Sequence, residues 1–137
     1  FGARRRRPDG TIAEHKGVDV VTTPGETVKS PVAGTVVEPQ FDPYRTDPDK
    51  KKKLSAIRIE TDDGHVVEVL YVDSEPSGLK RGDKVEIGTP IGTAQDITKE
   101  VYPPTKKGGV MTNHVDIRIK DKNGVYEDPT PHIRGRR

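Results

Sequence analysis

Residues 54–71 read LSAIRIETDDGHVVEVLY, and the reading of this stretch decides the fold. Ile57 and Ile59 point one way and Arg58 and Glu60 the other, the period of two that a half-buried strand requires. Asp62-Asp63-Gly64 is a hairpin turn signal. The chain then returns over His65 to Tyr71, with Val67, Val69 and Tyr71 expected on one face. Thr112 to Lys120 repeats the alternation, with Val115, Ile117 and Ile119 on one face and His114, Asp116, Arg118 and Lys120 on the other. Lys122-Asn123-Gly124 closes it with another turn.

The same logic extends in both directions. Thr11 to Val21 ends in the β-branched run Val18, Val20 and Val21, and a turn follows at Thr23-Pro24-Gly25-Glu26. In Val28 to Val37, Pro31 suggests a strand start or edge and Gly34 a bend. Leu79 to Thr93 predicts short strands around Val85, Ile87 and Ile91. No window carries a sustained helical period with caps. The expectation is an all-β chain: a single antiparallel β domain with a polar groove, spanning 1–137. Its core should hold Val18, Val20, Val28, Val32, Val36, Ile57, Ile59, Val67, Val69, Val85, Ile91, Val115, Ile117 and Ile119. Residues 39–53 hold Pro39, Pro43, Pro48 and the lysines Lys50 to Lys53, and read as an exposed insertion. Ala94 to Gly109 reads as a loop.

Composition narrows the function classes. The apolar fraction is 29% and aromatics reach only 4%, which suits a thin sheet-based core rather than a large layered one. Charged residues make up 34%, yet the net charge is +2, so no nucleic-acid binder is predicted. Without cysteine there is neither a disulfide frame nor a thiolate metal site. No apolar run is long enough for a membrane span. The start at Phe1 suggests a processed or excised piece whose export signal would be gone. Arg4 to Arg7 and Lys50 to Lys53 read as solvated charge runs, with contact to an anionic polymer as the sharper alternative.

Two short stretches carry candidate chemistry. In an extended strand, residues an even number apart share a face, so His15 can converge with Asp19 and His114 with Asp116. Brought together, two imidazoles and two carboxylates are ligand types for a divalent metal. Polar surface residues satisfy the same pattern. His65 and His132 read as surface histidines, and Tyr102 as an exposed loop residue.

The ordered series FGAR, HKGVDV, PGETVKSPVAGTVV, GDKVEIGTPIGTA and NHVDIRI resembles the lysostaphin/LytM-type zinc endopeptidases, which cut peptide cross-links in bacterial cell walls. The resemblance covers Phe1 to about Ile119 and implies a groove-bearing antiparallel β domain. It implies zinc on His15 and Asp19, with His114 as the catalytic member of a family H-x-H pair. Asp116 stands where the family's third zinc ligand, a histidine, is expected. Asp73, in Tyr71-Val72-Asp73, stands where the family has a second catalytic histidine. The leukocyte cell-derived chemotaxin relatives also lack that upstream histidine and are regarded as non-catalytic.

The resemblance thus implies two functions. One is a zinc-dependent peptidoglycan endopeptidase with metal on His15, Asp19 and Asp116 and His114 as general base. The alternative is a catalytically degenerate domain serving wall binding, regulation or assembly of a larger particle such as a phage tail. Two carboxylates on zinc cancel its formal charge, which weakens the activation of bound water. Partners implied are peptidoglycan or another anionic wall polymer, with protein neighbours in an assembly, at an extracytoplasmic location. PVAGTVV and GDKVEIGTPIG are also similar to biotinyl/lipoyl-type carrier modules. Such carriers present a lysine flanked by small residues or methionine, and the lone Met111 has no lysine beside it.

Overall fold

The structure is a computed structural model that describes residues 4–6, 12–14, 17–43, 54–97 and 113–129. Its strands are β1 (Arg4–Arg6), β2 (Ile12–Glu14), β3 (Val18–Val21), β4 (Thr27–Lys29), β5 (Gly34–Phe41) and β6 (Ala56–Glu60). They continue with β7 (Val66–Leu70), β8 (Val72–Asp73), β9 (Lys84–Val85), β10 (Pro90–Ala94), β11 (His114–Lys120) and β12 (Tyr126–Glu127). The larger sheet runs β12-β11-β7-β6-β5-β9, and β3 also pairs with β11. A three-stranded sheet runs β4-β10-β8, and β1 pairs with β2. Every strand pairing among the described residues is antiparallel. The expected all-β antiparallel class is therefore what the chain adopts.

The hairpin of β6 and β7 forms as its alternation requires, with Ile57 opposite Val69 and Ile59 opposite Val67. Gly64 supplies the positive φ of +88° at the turn. These apolar residues face inward and join Val28, Val36, Val72, Val85, Ile91 and Ala94 in one core shared by the two sheets. Twelve of the fourteen expected core residues are buried, and Val18 and Val20 are half-buried on the marginal strand β3. Gly92 allows the close approach of β10 to β8, since a β-carbon there would collide with the Asp73 carbonyl.

Three expectations need correction. Tyr71 does not continue the face of Val67 and Val69. Its φ is +73°, a left-handed conformation that breaks the pleat. The residue joins a second cluster with Leu54, Ala56, Leu70 and Ile97. Ile87 is 46% exposed and lies in the turn between β9 and β10, not in a strand. The projecting segment does not begin at residue 39, because β5 continues through Pro39 to Phe41 by slipping register past Glu38. Residues 44–53 lie outside the described residues, as do Tyr102 and His132.

Candidate functional site

The site is built on β11. Its residues 115, 117 and 119 face the core, and His114, Asp116, Arg118 and Lys120 share the opposite face, as their spacing predicts. β11 lies between β3 and β7. Asp116 sits opposite Asp19 on one side and Leu70 on the other, and His114 sits opposite Val21. The register brings Asp19 to the second half-site: His114 Nε2 lies 3.5 Å from Asp19 Oδ1. His15 lies outside the described residues, so of the four expected site residues the structure brings together Asp19, His114 and Asp116.

Asp116 is 2% exposed. Its Oδ2 accepts hydrogen bonds from Arg118 Nε at 3.0 Å and Arg118 Nη2 at 2.8 Å. Burial alone would lower the Arg118 pKa, but the charge of Asp116 and the bonds to it hold it above its usual value. The backbone closes over this pair at Gly17. A β-carbon there would collide with Asp116 Oδ1 and come within 2.9 Å of Arg118 Cγ, so the middle residue of HKGVD must lack one.

The same face continues away from the site as paired charge. Arg118 is opposite Glu68 on β7, and Glu68 is opposite Arg58 on β6. Glu68 is buried and accepts from Arg58 Nε at 2.7 Å and from the Tyr126 hydroxyl at 2.9 Å. Lys120 Nζ adds a longer contact of 3.8 Å. Burial, then the nearby Glu68 charge, pushes the Tyr126 hydroxyl up. Arg58 also reaches Glu38 at 2.7 Å and lies over the Phe41 ring at 3.9 Å. Sequence reading placed Arg58, Arg118 and Lys120 on polar faces but did not single out Glu68 or pair any of them.

Two further residues position the site. Tyr71 sets its ring edge-on to His114, with centroids 5.7 Å apart. Asn113, immediately before His114, is buried and fully used. Its Nδ2 donates to Thr22 Oγ1 and to the Gln95 carbonyl, and its Oδ1 accepts from the Ile97 amide. The Thr22 amide also donates to the Asn113 carbonyl, which ties the end of β3 to the start of β11. Sequence reading missed Asn113. Its only signal was an amide placed next to a candidate histidine.

Asp73 lies on β8, opposite Thr93. Its Oδ1 accepts from the Glu75 amide at 3.1 Å. The residue borders a cavity of about 340 Å³ that Phe41, Leu54, Ser55 and Gln95 also line.

A sequence profile of Peptidase family M23 matches residues 13–129. The chain belongs to this family. Among curated proteins, the Muramidase-released protein of Streptococcus suis is 34% identical over 108 residues, covering 79% of this chain and 7% of that protein. The chain thus spans only a small part of that relative. Among solved structures, the catalytic domain of the antimicrobial peptidase lysostaphin from Staphylococcus simulans is similar, with a TM-score of 0.62 at 23% identity. The match covers 89% of this chain and 80% of that one. A zinc containing peptidase from Vibrio cholerae matches with a TM-score of 0.61 at 21% identity, over 90% of this chain and 32% of the other. At these identities the likeness establishes the lysostaphin-like fold.

Family membership raises zinc, and the donor set can be tested against it. Two ligands of one tetrahedral zinc at about 2.0–2.1 Å lie roughly 3.3 Å apart, close to the observed separation of Asp19 and His114. Asp116, however, is bound to a guanidinium. A divalent ion on that carboxylate would compete with the guanidinium for the same charge and would be repelled by it. Among the described residues, no group of three or more His, Cys, Asp or Glu is arranged to hold a metal. Of the ligand set His15, Asp19 and Asp116 that the resemblance implied for zinc, His15 lies outside the described residues, and Asp116 offers a carboxylate that already holds the Arg118 guanidinium.

Proposed function

We propose that this chain is a non-hydrolytic member of its family, which holds a cell-wall peptide on the His114 face without cutting it. The observation that carries this reading is the Arg118–Asp116 pair at the position of the expected third ligand. Asp73 supports it. An ionised carboxylate only accepts hydrogen bonds, so it offers nothing to a developing oxyanion and repels its charge. Asp19 keeps a side chain 39% exposed beside His114, an acceptor and a donor that an extended peptide could meet through its backbone amides and carbonyls. On this reading the domain works outside the cytoplasm, with peptidoglycan as its partner.

The separation of Asp19 and His114 favours a second reading. In it the domain is a metal-dependent endopeptidase, with His15, Asp19 and Asp116 as ligands and His114 as general base. Incubation with purified, dye-labelled peptidoglycan sacculi separates the two, with zinc added and with chelator. The first reading expects sedimentation with sacculi and no release of soluble dye under either condition. Zinc-dependent dye release would overturn it in favour of the peptidase. Neither binding nor release would overturn both and leave assembly with protein neighbours, as in a phage tail.

A further inference from the structure

We infer that the Arg118 guanidinium is a built-in cation that takes the place of metal charge at this site, and that Arg118 and Asp116 act as one unit. The inference builds on the non-hydrolytic reading but concerns metal exclusion, which is measured independently of hydrolysis.

Three observations carry it. First, the pair is made by residues two apart on one strand face, and both donors, Nε and Nη2, converge on a single oxygen of a buried carboxylate. Two charge-assisted bonds to one acceptor hold the guanidinium in place. Second, Arg118 has a competing carboxylate across the ladder, Glu68, which is already engaged by Arg58 and by the Tyr126 hydroxyl. Glu68 is thus spoken for, and Arg118 pairs with Asp116. Third, Gly17 packs over both members, so the arginine stem and the carboxylate lie beneath the backbone two residues before Asp19. A histidine at 116 would strip Arg118 of its partner yet leave its charge beside the ligands. Restoring the family's ligand residue alone is therefore not enough to restore metal.

Zinc affinity by equilibrium dialysis tests this on the purified chain and on Asp116→His, Arg118→Gln and the Asp116→His/Arg118→Gln pair. Circular dichroism checks the fold of each. Arg118→Lys is the control that keeps the charge but loses the two-point geometry. The unmodified chain, Asp116→His and Arg118→Lys are expected to bind weakly. Arg118→Gln should gain at least tenfold in affinity, and the double variant should bind at least a hundredfold more tightly than Asp116→His. Stoichiometric zinc in the unmodified chain at micromolar concentration would overturn the inference, and that measurement needs no variant to fold. Equal affinities for Asp116→His and the double variant would overturn it as well. Dye release from sacculi accompanied by weak zinc binding would instead sink the non-hydrolytic reading and leave the exclusion of metal standing.

Discussion

The two faces of β11 obey different rules. On one, Val115, Ile117 and Ile119 meet Val67 and Val69 and pack into a core that any well-fitting apolar side chains would fill. On the other, Asp116, Arg118 and Lys120 lie over a surface where each buried charge depends on a particular partner. Burial of apolar area is non-directional, so the first face tolerates approximation. Burial of charge is costly unless it is paired, so the second face is a set of specific pairings. Changes on the two faces therefore have different consequences. The fold resides in the first face; the second carries the proposed site and its specific pairings, Arg118 with Asp116 and Arg58 with Glu68.

The largest effect should come from the apolar face. Ile59 is fully buried between Val36 and Val67 in the ladder. Ile59→Ala should cost about 2–5 kcal/mol in chemical denaturation, the range for an isoleucine-sized core truncation. A loss below 1 kcal/mol would show that the interior is looser than its burial implies.

The polar face should respond to a single partner almost as strongly. Glu68→Ala leaves Arg58 and Lys120 without their shared acceptor. The expected loss is about 2–3 kcal/mol, below the range for a fully buried pair because the Arg58 side chain keeps 30% exposure. Replacing Arg58 and Glu68 together with apolar residues should recover much of it. An unrecovered loss would mean that the pairing has value beyond mutual neutralisation.

A smaller, pH-dependent effect lies where the polar face ends, at the β6–β7 turn. His65 Nδ1 is 2.8 Å from Asp63 and Nε2 is 2.8 Å from Glu127. The hydrogen bond to Asp63, opposed by slight burial and aided by the charges of Asp63 and Glu127, raises the His65 pKa. Bonds from Thr61, then His65, lower that of Asp63. The histidine's contribution is complete below its unfolded pKa of about 6.5 and is lost as pH rises through the raised folded value. The aspartate's is present above about 3.9 and is lost as pH falls through its lowered value. NMR titration should give His65 a midpoint above about 6.5, with Asp63→Asn lowering it more than Glu127→Gln. A midpoint at or below that value would show that the contacts to Asp63 and Glu127 do not favour the charged histidine.

Alternation made the first face legible. Ile57, Ile59, Val67, Val69, Val115, Ile117 and Ile119 could be assigned inward because a pleated strand permits nothing else. Tyr71 was misassigned because one positive φ ends that logic, and no side-chain pattern announces a left-handed tyrosine. Ile87 was misassigned because an apolar residue in a turn reads like one in a short strand. On the second face, spacing alone placed His114, Asp116 and Arg118 side by side. It left undecided which carboxylate Arg118 would choose, since that depends on Arg58 from another strand taking Glu68. Asn113 was illegible for a related reason: it bonds Thr22, 91 residues away, and Gln95, 18 residues away.

The central claim is that the His114 face is held together by its own ion pairs rather than by a bound cation. Thermal unfolding of the unmodified chain in excess zinc and in excess EDTA tests this most directly. A metal bound only by the folded state raises the melting temperature by mass action, about 2.7 kcal/mol at a hundred times Kd. The same melting temperature is expected in both conditions. A melting temperature several degrees lower in EDTA would contradict it.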